Sequence, residues 1–278
     1  MAASSRLRGT WLRMSWGRMR VWRGGSGTPL LAVHGLGGSG RYWDGLARAV
    51  GDRYRVLAPD LAGFGSSDKP AGPYDRDFHL GCLDAVVREL TDDGPVVVVG
   101  HSLGAVFAAL WAGRHPNRTA GLALAAAAFP TGEGEPEWAR RPPPVGMRAV
   151  AAVARVAWPV VAVPIGVARG YPAALVMDYG KQRFHSRTRT MVSALYEPDV
   201  REDLEAVRAL PADVPVLLVN ALDDRTVPID DQERWADLLP HAERRVLEEG
   251  GHQFPLRTGF GPLGEWLLAL DPDRTGAP

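Results

Sequence analysis

The sequence predicts an α/β fold on a mostly parallel sheet, and three observations carry that reading. Short apolar runs recur along the 278 residues, at 30–33 (LLAV), 54–58 (YRVLA), 96–99 (VVVV), 121–126 (GLALAA), 216–219 (VLLV) and 245–247 (RVL). Most are apolar on both faces and bounded by Gly, Pro or Asp, which suits strands buried between two layers. Helical stretches at 43–50, 80–90, 103–114, 231–239 and 263–270 lie between them, and strand–helix alternation sets successive strands parallel in one sheet.

In chain order, residues 1–8 read as a loose tail. Thr10 to Met14 and Met19 to Trp22 then alternate apolar with polar around Ser15-Trp16-Gly17. That is the period of a β-hairpin with arginines on its solvated face. Residues 1–28 hold Arg6, Arg8, Arg13, Arg18, Arg20 and Arg23 and no acid. A transit segment is also arginine-rich and acid-poor, but a cleaved segment has no need of two-residue alternation. No secretory apolar region is expected either.

From about 129 to 204 the alternation fails and no strand is evident. The segment opens with Pro130, Pro136 and Pro142-Pro143-Pro144, then turns helical and apolar from 145 to 167. The expected organisation is a core of 9–129 and 205–278, with a helical lid of 130–204 inserted between two strands. Within it, 156–168 carries no charge but is interrupted by Pro159, Pro164 and Gly166. It is shorter than the roughly 20 residues of a membrane span. It reads as an apolar wall above a substrate site, or as a buried helical hairpin.

Lys+Arg and Asp+Glu both number 32, so no bulk attraction to nucleic acid or an anionic membrane is expected. A chain that is 46% hydrophobic and 23% charged has globular and not disordered composition. The one cysteine, Cys82, makes neither an internal disulfide nor a cysteine-based zinc site. The expectation is a cytoplasmic protein without cofactor or metal, acting on a small molecule, with no stable membrane insertion; a homodimer stays open. Lys69 and Lys181 are the only lysines and neither falls in a candidate site, so Schiff-base chemistry has no support.

Gly100-His101-Ser102-Leu103-Gly104 is a G-x-S-x-G string between the VVVV run and a helix. In a strand–turn–helix setting this is a nucleophile elbow, with glycines where the tight turn leaves no room for side chains. A serine hydroxyl needs a base and an orienting acid, and in this order the base comes last. Of seven histidines, His252 suits best: it lies in a glycine-flanked loop (EGGHQFP) just after the last strand. His241 precedes that strand and belongs to the opposite edge. His34 and His101 are turn residues of other motifs; His79, His115 and His185 read as packing or surface residues. For the acid, Asp223 and Asp224 both follow the VLLV strand. The earlier strand at 121–126 is followed by no carboxylate until Glu133. His34-Gly35-Leu36-Gly37-Gly38 follows the LLAV strand and aims backbone N–H groups into the site. The Leu36 and Leu103 amides are the expected oxyanion hole.

Taken together, HGLGG, then APDLAGFGSSDKP (58–70), GHSLG, LDDRTVP and GGHQFP resemble the α/β-hydrolase superfamily, across about 10–270. The resemblance implies a lid-bearing hydrolase with helices on both faces of the sheet. It maps Ser102 as nucleophile, His252 as base, and Leu36 and Leu103 as oxyanion donors. Family spacing before Pro228 selects Asp224 over Asp223. Asp60 matches a loop-bracing aspartate. Two departures stand out. Gly104 is followed by Ala105 where many relatives have glycine, and Ser102 stands where epoxide hydrolases and haloalkane dehalogenases carry aspartate, which argues against both reactions. The expected chemistry is hydrolysis of an ester, thioester or lactone of a small, moderately apolar molecule through an acyl-enzyme. Carbon–carbon bond hydrolysis, a cofactor-free perhydrolase-type reaction and a non-catalytic receptor are the alternatives.

Overall fold

The computed structural model describes residues 6–140 and 145–271. Both arms of the hairpin and each of the six apolar runs form strands: β1 (Arg8–Met14), β2 (Gly17–Gly24), β3 (Thr28–Val33), β4 (Tyr54–Pro59), β5 (Val96–His101), β6 (Thr119–Ala125), β7 (Val216–Ala221) and β8 (Glu243–Leu247). They build one sheet in the order β1-β2-β4-β3-β5-β6-β7-β8. β2 pairs antiparallel with β1 and β4, and every pair from β4 to β8 is parallel.

The described helices are α1 (Asp44–Val50), α2 (Arg76–Leu90), α3 (Leu103–Arg114), α4 (Glu137–Arg140), α5 (Val145–Ala168), α6 (Ala173–Gly180), α7 (Phe184–Leu195), α8 (Val200–Arg208), α9 (Ile229–Leu238), α10 (Phe254–Arg257) and α11 (Gly261–Ala269). The run of valines in β5 shows why the central strands are largely apolar. Val96 and Val98 enter a core layer with Leu83 of α2 and Val106 of α3. Val97 and Val99 enter the opposite layer with Leu46 of α1 and Leu267 of α11. A strand covered on both faces has no position for a polar side chain.

Three details differ from the sequence reading. Helix α2 starts at Arg76 and not at 80, because the Asp75 carboxylate caps it, accepting the Phe78 N–H at 2.8 Å. Pro159 and Pro164 lie inside α5 without ending it. Packing against α6 holds the helix there: Trp158 Nε1 donates to the Val176 carbonyl at 2.6 Å, and Gly166 sits against Val176. The tail is anchored from Leu7, whose N–H bonds Asp44 Oδ1 at 3.2 Å, and Arg8 is already in β1. Residues 1–5 of that tail, the Pro142-Pro143-Pro144 run and the last residues, 272–278, lie outside the described residues.

Helices α4 to α8 lie between β6 and β7, where the insertion was expected. The division at 204/205 falls inside α8, whose Leu204 and Val207 are part of the core. Buried Arg76 of α2 clamps this end. Its guanidinium meets Asp199 and Asp203 at 2.8 Å each, and donates to the Ser193 carbonyl at 2.6 Å. Among the described residues no helix is long and apolar enough to cross a membrane.

Candidate active site

The tight turn after β5 forces Ser102 into φ 55°, ψ −127°, a region that residues other than glycine rarely occupy. Its flanking glycines have no alternative. A Cβ on Gly104 would lie 2.3 Å from the Val33 carbonyl oxygen, and one on Gly100 would lie 2.4 Å from the Ala105 Cα. The Ser102 N–H bonds the Ala125 carbonyl of β6 at 2.8 Å, which pins the turn to the neighbouring strand.

Ser102 Oγ lies 2.9 Å from His252 Nε2, and His252 Nδ1 lies 2.9 Å from Asp224 Oδ2. Asp224 comes from the loop after β7 and His252 from the loop after β8, so three strand ends converge. The Asp224 side chain is fully buried, and its other oxygen accepts the Thr226 and Val227 N–H groups at 2.8 and 3.0 Å. Burial pushes that carboxyl up, but the His252 hydrogen bond and the two amides outweigh it and hold the group below the usual aspartate value. Asp223 is exposed and does something else: its Oδ1 accepts the Gly251 N–H at 2.6 Å, beside the histidine.

Leu36 and Leu103 line the same cavity as Ser102 and His252. Leu103 opens α3, so its N–H is one of the first-turn donors that a helix leaves unpaired. The loop carrying Leu36 is braced from below by His34, whose Nδ1 donates to the Gly35 carbonyl at 2.8 Å while Nε2 accepts the Leu61 N–H at 3.0 Å. Burial lowers the His34 pKa to about 4 and keeps it in this neutral form. Asp60 is also a brace. It is buried and accepts from Trp22 Nε1, Gly40 N and Ser66 N at 2.9, 2.7 and 2.7 Å. His79 is buried against Thr190 and His241 lies before β8; neither reaches the site.

The cavity measures about 740 Å³. Trp158, Val161 and Ile165 of α5 form part of its wall, with Tyr179 of α6 and Met191 of α7. α6 rests on the glycine-rich loop, where a Cβ on Gly37 would lie 2.6 Å from the Tyr179 ring. Tyr42, Arg169 and Arg187 also line it, and the sequence reading did not single them out. They are distant in sequence from every motif, so only the fold brings them in. Among the described residues no cluster of His, Cys, Asp and Glu is arranged to hold a metal.

Comparison with known proteins agrees with this architecture. The chain is 29% identical over 265 residues to a 2-hydroxymuconate semialdehyde hydrolase of Pseudomonas sp. (strain CF600), covering 89% of each chain. A hydrolase from Pseudomonas aeruginosa PA01 superposes with a TM-score of 0.73 at 20% identity, covering 95% of this chain and 98% of that one. The thioesterase domain from the curacin biosynthetic pathway superposes at 0.71 and 19% identity, over 95% and 99%. Residues 28–256 match the α/β hydrolase fold family. With that match spanning most of its length, the chain belongs to the α/β-hydrolase fold family.

Proposed function

We propose that the chain is a serine hydrolase that opens a carbonyl-activated bond through Ser102, His252 and Asp224. The observation that carries this is the continuous hydrogen-bonded line from Ser102 Oγ to Asp224, set at the wall of a cavity large enough for a small organic substrate. His252 Nε2 takes the Ser102 proton as the oxygen attacks the carbonyl carbon. Asp224 keeps the imidazole in the tautomer that leaves Nε2 free to do so. The Leu36 and Leu103 amides receive the developing oxyanion. His252 then protonates the leaving fragment, and water, activated by the same nitrogen, releases the acid and restores Ser102 Oγ–H.

For the bond that breaks, carbon–carbon hydrolysis is the favoured reading. The relative matched over 89% of its length is named for a semialdehyde, a compound without an ester bond, so its hydrolysis parts carbon from carbon. Arg169 and Arg187 line the cavity, and among the described residues neither meets an acid; a substrate carboxylate suits them. Such a step needs a leaving fragment that stabilises negative charge until His252 protonates it. Ester, thioester or lactone hydrolysis is the second reading, since the same catalytic groups serve it unchanged. The helical segment between β6 and β7 acts in both as the lid that selects substrate.

The test pairs a p-nitrophenyl ester series with a coloured 2-hydroxy-6-oxo-dienoate whose absorbance falls on carbon–carbon cleavage. Turnover of the dienoate at a higher kcat/KM than any ester is the expected outcome. Ser102→Ala should lower both rates by at least about 10³-fold. Full activity in that variant would overturn the proposal, and saturable binding of both compounds without turnover would make the chain a receptor.

A further inference from the structure

The hairpin arginines do not all find partners, and three of those left over, Arg6, Arg8 and Arg23, converge. Arg18 pairs with Asp68, and Arg20 lies between the Trp11 and Trp22 rings at 4.9 and 4.8 Å. Arg8 and Arg23, by contrast, are direct cross-strand partners on β1 and β2. Their Cα atoms are therefore about 5 Å apart, an arrangement of like charges that destabilises a sheet. Arg23 is in turn opposite Leu57 of β4. Arg55 lies two residues earlier on β4, hence on the same face as Leu57 and Arg23. Arg6, just before β1, completes the group.

These four arginines line one groove of about 500 Å³, with Gly9, Thr10, Gly24 and Gly25 as the other described residues of its wall. Among the described residues no carboxylate lines it, and none of the four guanidiniums has an ion-pair partner. Arg55 Nε is buried without a hydrogen-bond partner among the described residues. An unsatisfied buried guanidinium N–H and three neighbouring cations are costly when the groove is empty, and an oxyanion relieves both costs at once.

We propose that this groove binds a phosphate-bearing small molecule. Guanidinium forks match phosphate oxygens two at a time, and four of them suit a group carrying more than one negative charge. The groove is separate from the hydrolase site. Arg55 is near the start of β4, whereas Ser102 follows the far end of β5, six residues and about 20 Å along parallel strands. The phosphate belongs either to a soluble metabolite or to a lipid headgroup, and both present the same oxygens.

Titration calorimetry with inorganic pyrophosphate tests this on the full chain, beside flotation with phosphatidylcholine vesicles with and without phosphatidic acid. Saturable pyrophosphate binding that weakens at least about tenfold in Arg55→Gln and in Arg23→Gln is expected, while Arg13→Gln, on the other sheet face, leaves it within twofold. Binding to the acidic vesicles alone, lost in the same two variants, would assign the phosphate to a lipid. No binding to either probe, or equal losses in Arg13→Gln, would overturn the site. Folding is controlled by melting without anion: Arg23→Gln should melt about 1–3 °C higher than the parent chain, because it removes a like-charge pair. Added pyrophosphate should raise the parent Tm by more than that of the variant.

Discussion

His101 Nε2 donates a hydrogen bond to the backbone carbonyl of His252 over 2.8 Å. The residue before the proposed nucleophile thus holds the loop of the proposed base. His101 is buried and stacks on Tyr42 with ring centroids 4.9 Å apart. Burial, with the neighbouring His252 adding to it, lowers its pKa to about 3. It stays a neutral donor through the working pH range and acts by positioning.

Replacing His101 by leucine should therefore lower kcat by about 10- to 100-fold, since a small misplacement of His252 costs that much. Glutamine, which keeps an N–H donor, should recover part of it. The acid limb of the pH–rate profile should stay where it is in both variants. A limb that moves with the substitution would show that His101 itself titrates in the reaction.

Asp223 and Asp224 divide two tasks. Asp224→Asn should cost about 10³- to 10⁴-fold in kcat, because the amide presents a donor toward His252 and favours the wrong tautomer. Asp223→Asn should stay within about fivefold, since its oxygen still accepts the Gly251 N–H. Steady-state kinetics of the two variants with one substrate decides it, and a reversed order would move the acid to Asp223.

That division marks where the sequence stopped being legible. The central strands were readable because burial on both faces leaves a contiguous apolar run, the hairpin because its polar and apolar residues alternate, and the elbow because only glycine fits at 100 and 104. Ser102, His252 and the aspartate pair were readable because each follows such a run at a strand end. Choosing Asp224 needed the family spacing, since both carboxylates suit a turn. The roles of His34 and His101 were hidden, because a histidine in a turn looks alike whether exposed or buried. The helices over the cavity were visible only as helical and apolar. Which side chains face inward depends on how α5 and α6 cross, which periodicity in one chain does not encode.

The elbow stores backbone energy that a stability measurement can release. Ser102 at φ 55° carries about 1–3 kcal/mol of strain, which glycine does not feel. Ser102→Gly and Ser102→Ala should both be inactive, but the glycine variant should be the more stable by about 1 kcal/mol, or roughly 2–4 °C in Tm. Equal melting temperatures would mean that the turn is relaxed in solution. Gly104→Ala is the converse case. Its new Cβ meets two backbone carbonyl oxygens that have nowhere to move, so a loss of about 3 kcal/mol or failure to fold is expected.

Buried titratable groups set a steep acid limb for stability itself. Burial holds His79 and His101 down to about 3 and His34 down to about 4, against 6.5 in the unfolded chain. As pH falls below 6.5 the unfolded state takes up these protons and the folded state does not, so each histidine removes up to about 1.4 kcal/mol per pH unit. Asp60 acts in the opposite sense. Burial raises it to about 6, above the 3.8 of an exposed aspartate, so between those values the folded state holds the extra proton and gains as pH falls. Three histidines against Asp60 leave a net loss of about 3 kcal/mol per unit between roughly pH 6 and 4; Asp231, which burial also raises, offsets part of it, and Asp224, held low, adds to it at the acid end. Urea midpoints at pH 7, 6 and 5 measure this slope. His79→Leu loses one hydrogen bond to Thr190 and so is less stable at pH 7, yet its slope should be shallower by about 1.4 kcal/mol per unit. An unchanged slope would mean that His79 takes up its proton in the folded state, and that the packing around it is looser than the structure shows.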